Sequence, residues 1–212
     1  MRARTRIVTY GGAVSLDGFL TATDGSLDWL HFSGDVQRVM ADYWKTVDTV
    51  LMGRKTYAVA AAQAPRGRRG KPTASDRKAP CVRTYVFSRT LRTVEGGAEL
   101  VRGDAVEFVR RLKAQDGGNI CLMGGGELAQ SLLAADLVDE VGLNVHPILL
   151  GSGTPAFRDP GHRVRLVLQE CRTMDGGCVL LTYRRAKTAG LPTEAPGAKA
   201  GASGGPARKA AP

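Results

Sequence analysis

The chain has 212 residues, 43% of them hydrophobic, and this length and composition suit one globular domain with a buried core. No apolar run reaches the roughly 20 residues that a membrane-spanning helix needs. The three histidines are too scattered to favour a metal site. The net charge of +10 arises mainly from residues 1–6, 61–80 and 186–212, so the rest of the chain is nearly neutral. This distribution favours solubilising segments over a nucleic-acid-binding face.

The amino terminus and the cysteines predict a cytoplasmic protein. Residues 1–10 carry three arginines without an apolar stretch or a cleavage site behind them, so we expect a basic arm that leads into a strand, not a signal peptide. None of the four cysteines forms a CxxC pair, and Cys121 and Cys178 lie in apolar, strand-like segments. Buried, reduced thiols are the simplest interpretation.

Strand and helix patterns alternate along the chain. Strands are predicted over residues 7–13, 49–52, 84–87, 120–123, 140–145, 164–171 and 178–183. Helices are predicted over 34–46, 105–115 and 126–135. The first has Val36, Val39, Met40, Tyr43 and Trp44 on one face, and the second has Asp104 as N-cap with Glu107 as its capping-box partner. This order predicts an α/β fold, a mostly parallel central sheet flanked by helices that ends in an antiparallel hairpin.

Two segments depart from this pattern. Residues 61–80 form a long basic loop, which is either a disordered insertion or a mobile flap. Residues 186–212 are rich in Ala, Gly, Pro and Lys without apolar periodicity, so a disordered tail is expected there. We therefore expect one domain over residues 1–185, followed by the tail.

A first strand-to-helix turn has the features of a phosphate-binding site. The apolar strand over 49–52 runs into Gly53, which permits a sharp turn, and Arg54, Lys55 and Thr56 fall in the first turn of the next helix. Backbone N–H groups and the positive end of the helix dipole meet there, and the arginine and threonine add side-chain donors.

A second turn follows the strand over 120–123 and contains Gly124, Gly125 and Gly126. Without Cβ atoms, a pyrophosphate or a nicotinamide can approach the backbone closely. The GxGxxG pattern of the Rossmann fold is absent. For either turn, glycine serving only the geometry of the turn is the alternative, but two such turns together favour a nucleotide.

A third candidate element is the turn after the strand over 84–87. Ser88 and Arg89 would suit the 2′-phosphate of NADPH, because that anion needs cationic or hydrogen-bonding partners. An exposed turn with solvated polar residues is the alternative.

Five segments in order, SLDGFLTATDGSLDWL, LMGRKTY, SRTL, MGGGEL and HPILLGSGTPAF, resemble the dihydrofolate reductase superfamily. The likeness is greatest to the reductase domain of the bifunctional riboflavin-biosynthesis deaminase/reductase and its stand-alone relatives, and it covers most of residues 7–185. The resemblance implies NADPH as the cofactor. It also implies that Ala13 and Val14 contact the nicotinamide carboxamide through the backbone and that residues 17–29 form a loop that closes over nicotinamide and substrate.

The same resemblance assigns the turn at 53–56 to the adenine-side phosphate, Ser88 and Arg89 to the 2′-phosphate, and residues 124–127 to the pyrophosphate and nicotinamide. Glu127 departs from folate-reducing relatives, which often have a basic residue near this place, and is not counted as a phosphate ligand. Such relatives are often dimers that pair sheet edges or C-terminal strands. A homodimer that uses Val179, Leu180, Leu181 and Tyr183 is therefore an expectation, although core burial explains these residues equally well.

The proton donor is the least determined part of the site. Asp35 is the catalytic candidate, because it lies close to where dihydrofolate reductase has its substrate-binding carboxylate. The alternative is that Asp35 complements the helix dipole behind a Ser33 N-cap. Asp17 and Asp24 precede glycines and are interpreted as turn formers, and His146 is interpreted as structural.

Together these features predict an NADPH-dependent oxidoreductase of the riboflavin type that transfers hydride to a C=N, C=C or C=O group of a small heterocyclic or carbonyl/imine substrate. A true dihydrofolate reductase is one alternative. A non-catalytic nucleotide- or nucleic-acid-binding protein that uses the basic loop and tail is another. No metal and no membrane contact are expected, and a nucleic-acid partner is disfavoured.

Overall fold

A computed structural model describes residues 6–63, 82–124 and 126–186. The elements in chain order are β1 (Val8–Ser15), β2 (Phe19–Thr21), α1 (Gly34–Trp44), β3 (Val47–Gly53), α2 (Arg54–Gln63), β4 (Arg83–Phe87), β5 (Glu99–Val101), α3 (Ala105–Lys113), β6 (Asn119–Met123), α4 (Gly126–Ala134), β7 (Glu140–His146), β8 (Thr154–Pro155), β9 (Leu166–Thr173) and β10 (Val179–Arg185). The predicted loop over 61–80 begins inside α2 and otherwise lies outside the described residues. The predicted tail lies outside them from residue 187 onward.

Eight strands form one sheet in the order β5-β4-β3-β6-β1-β7-β10-β9. Neighbours from β5 to β7 are parallel, whereas β10 is antiparallel to both β7 and β9. The central strands β3 and β6 are buried along most of their length, as expected for strands with both faces covered. The predicted α/β fold with its C-terminal antiparallel hairpin is confirmed. In addition, β2 and β8 pair as a small separate sheet.

Helices cover both faces of the sheet. On one face, strand residues pack against α3 and α4 in a cluster that contains Val8, Tyr10, Ile120, Leu122, Val109, Leu112, Leu128 and Leu132. On the other face, a cluster of strand residues with α1 and α2 contains Val50, Met52, Val86, Cys121, Tyr43, Trp44 and Tyr57. No helix among the described residues has the length and apolar character needed to cross a membrane.

The local predictions held with a few exceptions. Asp104 caps α3 by accepting the Glu107 N–H at 2.8 Å, but the Glu107 carboxylate pairs with Arg111 at 3.0 Å, so only half of the predicted capping box forms. Met40 is 42% exposed and does not share the buried face of α1. Arg6, predicted to be part of the basic arm, is instead buried at the amino end of the sheet beside β3. Three strands of two or three residues were not predicted, because they are too short to show a period.

Candidate functional site

A cavity of about 970 Å³ runs along the carboxyl ends of the parallel strands. It is lined by the ends of β1, β3, β4, β5 and β6 and by the first turns of α2, α3 and α4. The carboxyl edge of a parallel sheet is where α/β proteins bind ligands, since the helix N-termini point there. We refer to this cavity as the cleft.

The cleft brings together most of the residues that the sequence singled out. Its lining includes Ala13, Gly53, Arg54, Lys55, Thr56, Ser88, Arg89, Gly124 and Gly126. Val14 does not line it, because its side chain is buried at 3% exposure. Gly125 lies outside the described residues. Segments far apart in the sequence therefore meet at one site, while the individual ligand roles stay predictions.

The turn between β3 and α2 presents two exposed cations. Arg54 and Lys55 open α2, whose first turn has no acidic residue, and neither has a carboxylate partner among the described residues. Gly53 joins β3 directly to α2 but does not have a left-handed φ, so this turn does not need a backbone conformation that favours glycine. A Cβ placed on Gly53 would meet nothing within 4 Å, so the missing side chain leaves the cleft open at this point.

The turn between β6 and α4 lies close to Thr56 of the first turn. Gly124 has a φ of 52°, and a Cβ placed there would lie 2.6 Å from the Thr56 Oγ1. Here glycine serves the local geometry of the backbone as well as the cleft. A Cβ on Gly126 would lie 3.0 Å from the Nε of Arg158, a cleft residue that sequence reasoning missed.

A third strand-to-helix turn, between β5 and α3, also lines the cleft and was not predicted as part of the site. It contains Arg102 and Gly103 before the Asp104 cap. The signal was present in LVRGDAVEF, where an apolar pair runs into a glycine and a helix cap as in the other two turns. On the neighbouring turn, the Ser88 Oγ accepts the Leu91 N–H at 3.0 Å, and Arg89 is exposed.

The charges in the cleft favour an anion. Its lining contains the basic residues Arg54, Lys55, Arg89, Arg102 and Arg158 and the acidic residues Asp104 and Glu127. The Asp104 carboxylate is engaged by the N-terminus of α3, and Glu127 lies 3.8 Å from Arg158. The net positive charge and the three helix N-termini suit a ligand with several phosphates. The described residues contain no cluster of side chains that could hold a metal ion.

Residues 15–18 (SLDG) and 151–157 (GSGTPAF) are hydrogen-bonded to each other at one end of the cleft. We refer to these two segments as the strap. The Asp17 carboxylate accepts the N–H groups of Leu150 at 3.2 Å and Gly151 at 2.7 Å, and the Ala156 N–H donates to Gly18 at 2.9 Å. These bonds join the β1–β2 connection to the segment around β8. The Asp24 carboxylate accepts a hydrogen bond from the Ser26 N–H at 2.8 Å, as expected for a turn former.

The structure does not bring Asp35 to the cleft lining. Its carboxylate accepts hydrogen bonds from the Ser33 hydroxyl, from the Val36 N–H at 2.8 Å and from the Asp175 N–H at 2.9 Å. The Ser33 hydroxyl and then the Asp175 N–H lower the Asp35 pKa, whereas a proton donor must hold its proton at the working pH. The catalytic role of Asp35 stays a prediction, and its surroundings favour the alternative of a helix cap beside Ser33.

The family model of the RibD C-terminal domain matches residues 6–180. The chain belongs to the RibD C-terminal domain family. Membership of this family supports a reductase-type function. The Bacillus subtilis protein YyaP, which is uncharacterised, is 33% identical over 174 residues that span 81% of this chain and 90% of YyaP.

Solved structures of similar proteins share this fold. A protein from Shewanella sp. PV-4 named for riboflavin biosynthesis is 28% identical, with a TM-score of 0.70 over 85% of this chain and 99% of that one. Dihydrofolate reductase from Enterococcus faecalis, solved with NADP(H), is 16% identical and shares the fold. Its TM-score is 0.61 over 87% of this chain and 99% of that one.

Proposed function

We propose that this member of the RibD C-terminal domain family is an NADPH-dependent reductase that acts on a small heterocyclic or carbonyl/imine substrate. The observation that carries the proposal is the cleft, where three helix N-termini and a surplus of basic side chains meet at the carboxyl edge of the sheet.

The residues of the cleft fit a dinucleotide in size and charge. Its volume of about 970 Å³ lies at the upper end of the range of ligand pockets, roughly 300–1,000 Å³. Cβ atoms placed on Gly12 and Gly53 would meet no protein atom within 4 Å, so both positions leave space that a side chain would fill. Arg54 and Lys55 are exposed and free to pair with phosphates.

When bound, NADPH would supply the hydride for reduction of a C=N, C=C or C=O group. Arg54, Lys55 and the α2 N-terminus would bind the phosphate on the adenine side. Gly124, Gly126 and the α4 N-terminus would accommodate the pyrophosphate against the backbone. Ser88 and Arg89 at the outer end would select NADPH over NADH by binding the 2′-phosphate.

The backbone around Ala13 would orient the nicotinamide, since Gly11, Gly12 and Ala13 line the cleft where β1 ends. Leu20, Leu27 and Leu30 lie in the loop that the strap holds in place, and their apolar side chains would exclude water from this end. These placements follow the family resemblance and agree with the charge and shape of the cleft.

A true dihydrofolate reductase is a weaker candidate. That activity would use the Asp35 carboxylate for the substrate, whereas here backbone N–H groups and the Ser33 hydroxyl occupy it. The basic loop and tail, on which the nucleic-acid alternative depends, lie largely outside the described residues.

The proposal is tested by calorimetric titration of the purified chain with NADPH and with NADH. We expect saturable NADPH binding, weaker NADH binding, and at least about tenfold weaker NADPH binding in Arg54→Ala, since a charge-assisted contact contributes roughly 1.5–3 kcal/mol. Arg89→Ala should weaken NADPH binding but leave NADH binding unchanged, because only NADPH has the 2′-phosphate.

Arg110→Ala is the matched control, because this exposed arginine of α3 does not line the cleft. The control separates the loss of a specific contact from the loss of one positive charge. If NADPH does not bind at millimolar concentration, or if Arg110→Ala weakens binding as much as Arg54→Ala does, the proposed function is wrong.

A further inference from the structure

Arg158 lines the cleft but has no role in the proposed function. It directly follows the strap in the chain, and its side chain lies against the amino end of α4. A Cβ placed on Gly126, the first residue of α4, would lie 3.0 Å from the Arg158 Nε and 3.3 Å from its Cδ. The side chain is 45% exposed. A segment distant from α4 in the sequence therefore places a guanidinium where α4 meets the cleft.

Contacts on both sides of Arg158 hold its backbone in place. Before it, Ala156 is 1% exposed, and the Ala156 N–H donates to the Gly18 carbonyl at 2.9 Å. After it, the Asp159 carbonyl accepts a hydrogen bond from the Gln130 amide of α4 at 2.6 Å. The chain then runs along α4 and lines a shallow groove that contains Gln130, Ser131, Ala134, Asp159, Pro160 and Gly161. These contacts fix the Arg158 backbone beside α4.

The charge of Arg158 is only weakly compensated within the protein. Its ion-pair partner is Glu127, whose carboxylate lies 3.8 Å from the Arg158 Nη1, too far for a hydrogen bond. Glu127 is 80% exposed, and an exposed pair of this kind contributes little to stability. The positive end of the α4 dipole lies at the same place, where a cation is unfavourable and an anion is favourable. An anionic ligand would therefore satisfy both Arg158 and the α4 N-terminus.

The strand order indicates which anion this is. Along the cleft, the strands follow one another in the order β4, β3, β6 and β1. The proposed function assigns the 2′-phosphate to the turn after β4, the adenine-side phosphate to the turn after β3, and the nicotinamide to the end of β1. Because α4 begins after β6, Arg158 lies between the adenine-side phosphate and the nicotinamide. The group of a dinucleotide at this place is the second phosphate of the pyrophosphate, on the nicotinamide side.

We propose that Arg158 binds the nicotinamide-side phosphate of the dinucleotide and that Glu127 competes with this phosphate for Arg158. This inference rests on the proposed function and adds a specificity-determining residue to it. Arg54 and Arg158 hold one phosphate each, from opposite sides of the β6–α4 turn. The guanidinium has the planar donor geometry that binds a phosphate through two hydrogen bonds. The cleft then prefers a nucleotide with a pyrophosphate over one with a single 5′-phosphate, because only the pyrophosphate contacts both arginines.

Calorimetric titration of the full chain with two ligands tests the role of Arg158. NADPH has the complete pyrophosphate, whereas adenosine 2′,5′-bisphosphate is the adenine half of NADPH and has only the adenine-side phosphate. We expect Arg158→Ala to weaken NADPH binding at least about tenfold, the effect of losing one charge-assisted contact. Binding of the bisphosphate should stay within about twofold of wild type. The bisphosphate also shows that the variant is folded and that the adenine end of its cleft is intact.

A second substitution tests the competition by Glu127. Glu127→Gln removes the competing charge with little change of shape and should tighten NADPH binding by about two- to fivefold, the effect of an exposed ion pair. The same substitution made together with Arg158→Ala should give a smaller gain. If Glu127 only repelled the ligand, the gain would be the same with and without Arg158. The four proteins form a double-mutant cycle that separates the two effects.

Arg163→Ala is the matched control, because Arg163 is an exposed arginine of the same connection and is not among the described residues that line the cleft. It should change NADPH binding by less than about twofold. A loss in Arg158→Ala no larger than in Arg163→Ala, or an equal loss for NADPH and the bisphosphate, would overturn the role of Arg158. An equal gain from Glu127→Gln with and without Arg158 would overturn the competition.

The wild-type titration distinguishes failure of this inference from failure of the proposed function. If the wild-type chain does not bind NADPH, the proposed function is wrong. If wild type binds NADPH and Arg158→Ala binds it equally well, the proposed function stands and only the assignment of Arg158 is wrong.

Discussion

At the scale of single residues, Gly53 and Gly124 occupy the two main turns of the cleft for different reasons. Gly53 has an ordinary φ and open space where a Cβ would be. Gly124 has a φ of 52° and lies against Thr56, so both its backbone and its surroundings exclude a side chain. Alanine substitutions at these positions therefore separate ligand binding from stability.

We expect Gly53→Ala to weaken NADPH binding while the Tm stays equal or rises slightly, because alanine restricts the unfolded chain. Gly124→Ala should lower the free energy of unfolding by about 1–3 kcal/mol, the cost of a strained backbone conformation. Thermal unfolding and NADPH calorimetry measure the two effects. A similar loss of stability in both variants would contradict this interpretation of the turns.

Asp35 provides a prediction about pH. Its pKa is lowered below the ordinary value of 3.8, first by the Ser33 hydroxyl and then by the Asp175 N–H. A carboxyl whose pKa is lowered in the folded state stabilises the fold above its unfolded pKa, and this contribution is lost as the pH falls through the folded pKa. We expect Asp35→Asn to have a lower Tm than wild type at neutral pH.

The difference in Tm between wild type and Asp35→Asn should shrink as the pH falls from 3.8 towards the lower pKa of the folded state, because the carboxyl is protonated first in the unfolded chain and only at lower pH in the folded one. Thermal unfolding across a pH series measures it. A difference that stays constant with pH would mean that the ionised carboxylate does not stabilise α1.

At the scale of elements, Arg6 joins three segments at the amino end of the sheet. It is 4% exposed, forms an ion pair with Asp48, donates to the Thr49 hydroxyl at 2.7 Å and donates from Nε to the Gly118 carbonyl at 2.8 Å. Burial raises the Asp48 pKa, but the Thr49 hydroxyl, the Gly118 N–H and Arg6 outweigh it, so the pKa is lowered. These bonds tie β1, β3 and the turn before β6 together.

Removing Asp48 would leave the Arg6 charge buried without its partner. We expect Asp48→Ala to lower the free energy of unfolding by about 2–4 kcal/mol, less than for a fully buried pair because the Asp48 side chain is 38% exposed. Asp42→Ala breaks the exposed ion pair with Lys45 and should change the free energy of unfolding by less than about 1 kcal/mol. Denaturant unfolding measures both losses. Equal losses in the two variants would show that the burial of Arg6 does not increase the contribution of its ion pair to stability.

At the scale of the whole molecule, the two edges of the eight-stranded sheet differ. The β5 edge has three residues, whereas the β9 edge has eight, among them Leu166, Val167 and Leu168 at 39–50% exposure. A long edge strand with exposed apolar residues tends to pair with another strand. The sequence predicts a dimer interface at residues 179–183. These residues belong to β10, which pairs with β7 on one side and β9 on the other, so β10 is not an edge strand.

We therefore expect the homodimer, which stays a prediction, to form through the β9 edge. Size-exclusion chromatography with light scattering should give twice the mass of one chain for wild type and the mass of one chain for Leu168→Lys, since a charge on an edge strand opposes pairing. Leu149→Lys changes an exposed leucine outside β9 and should leave the dimer intact. A wild-type protein with the mass of one chain would refute the expectation.

Local patterns in the sequence were enough for the fold class, the positions of the long strands along the chain and the helices α1, α3 and α4. Apolar runs that end in Gly53 or Gly124, and the Asp104 cap, are signals carried by residues close together in the chain, so they can be read without the tertiary structure. Most of the residues that these patterns singled out line the cleft, because strand-to-helix turns of a parallel sheet meet at one edge.

The tertiary structure decided what depends on distant contacts. It added Arg102 and Arg158 to the cleft, placed Asp35 outside the lining, and buried Arg6 against Asp48. It also brought Asn144 next to Ala13, although more than a hundred residues separate them in the chain. No periodicity or spacing records such pairings, because they follow from which strands become neighbours in the sheet and which loops are held over its edge.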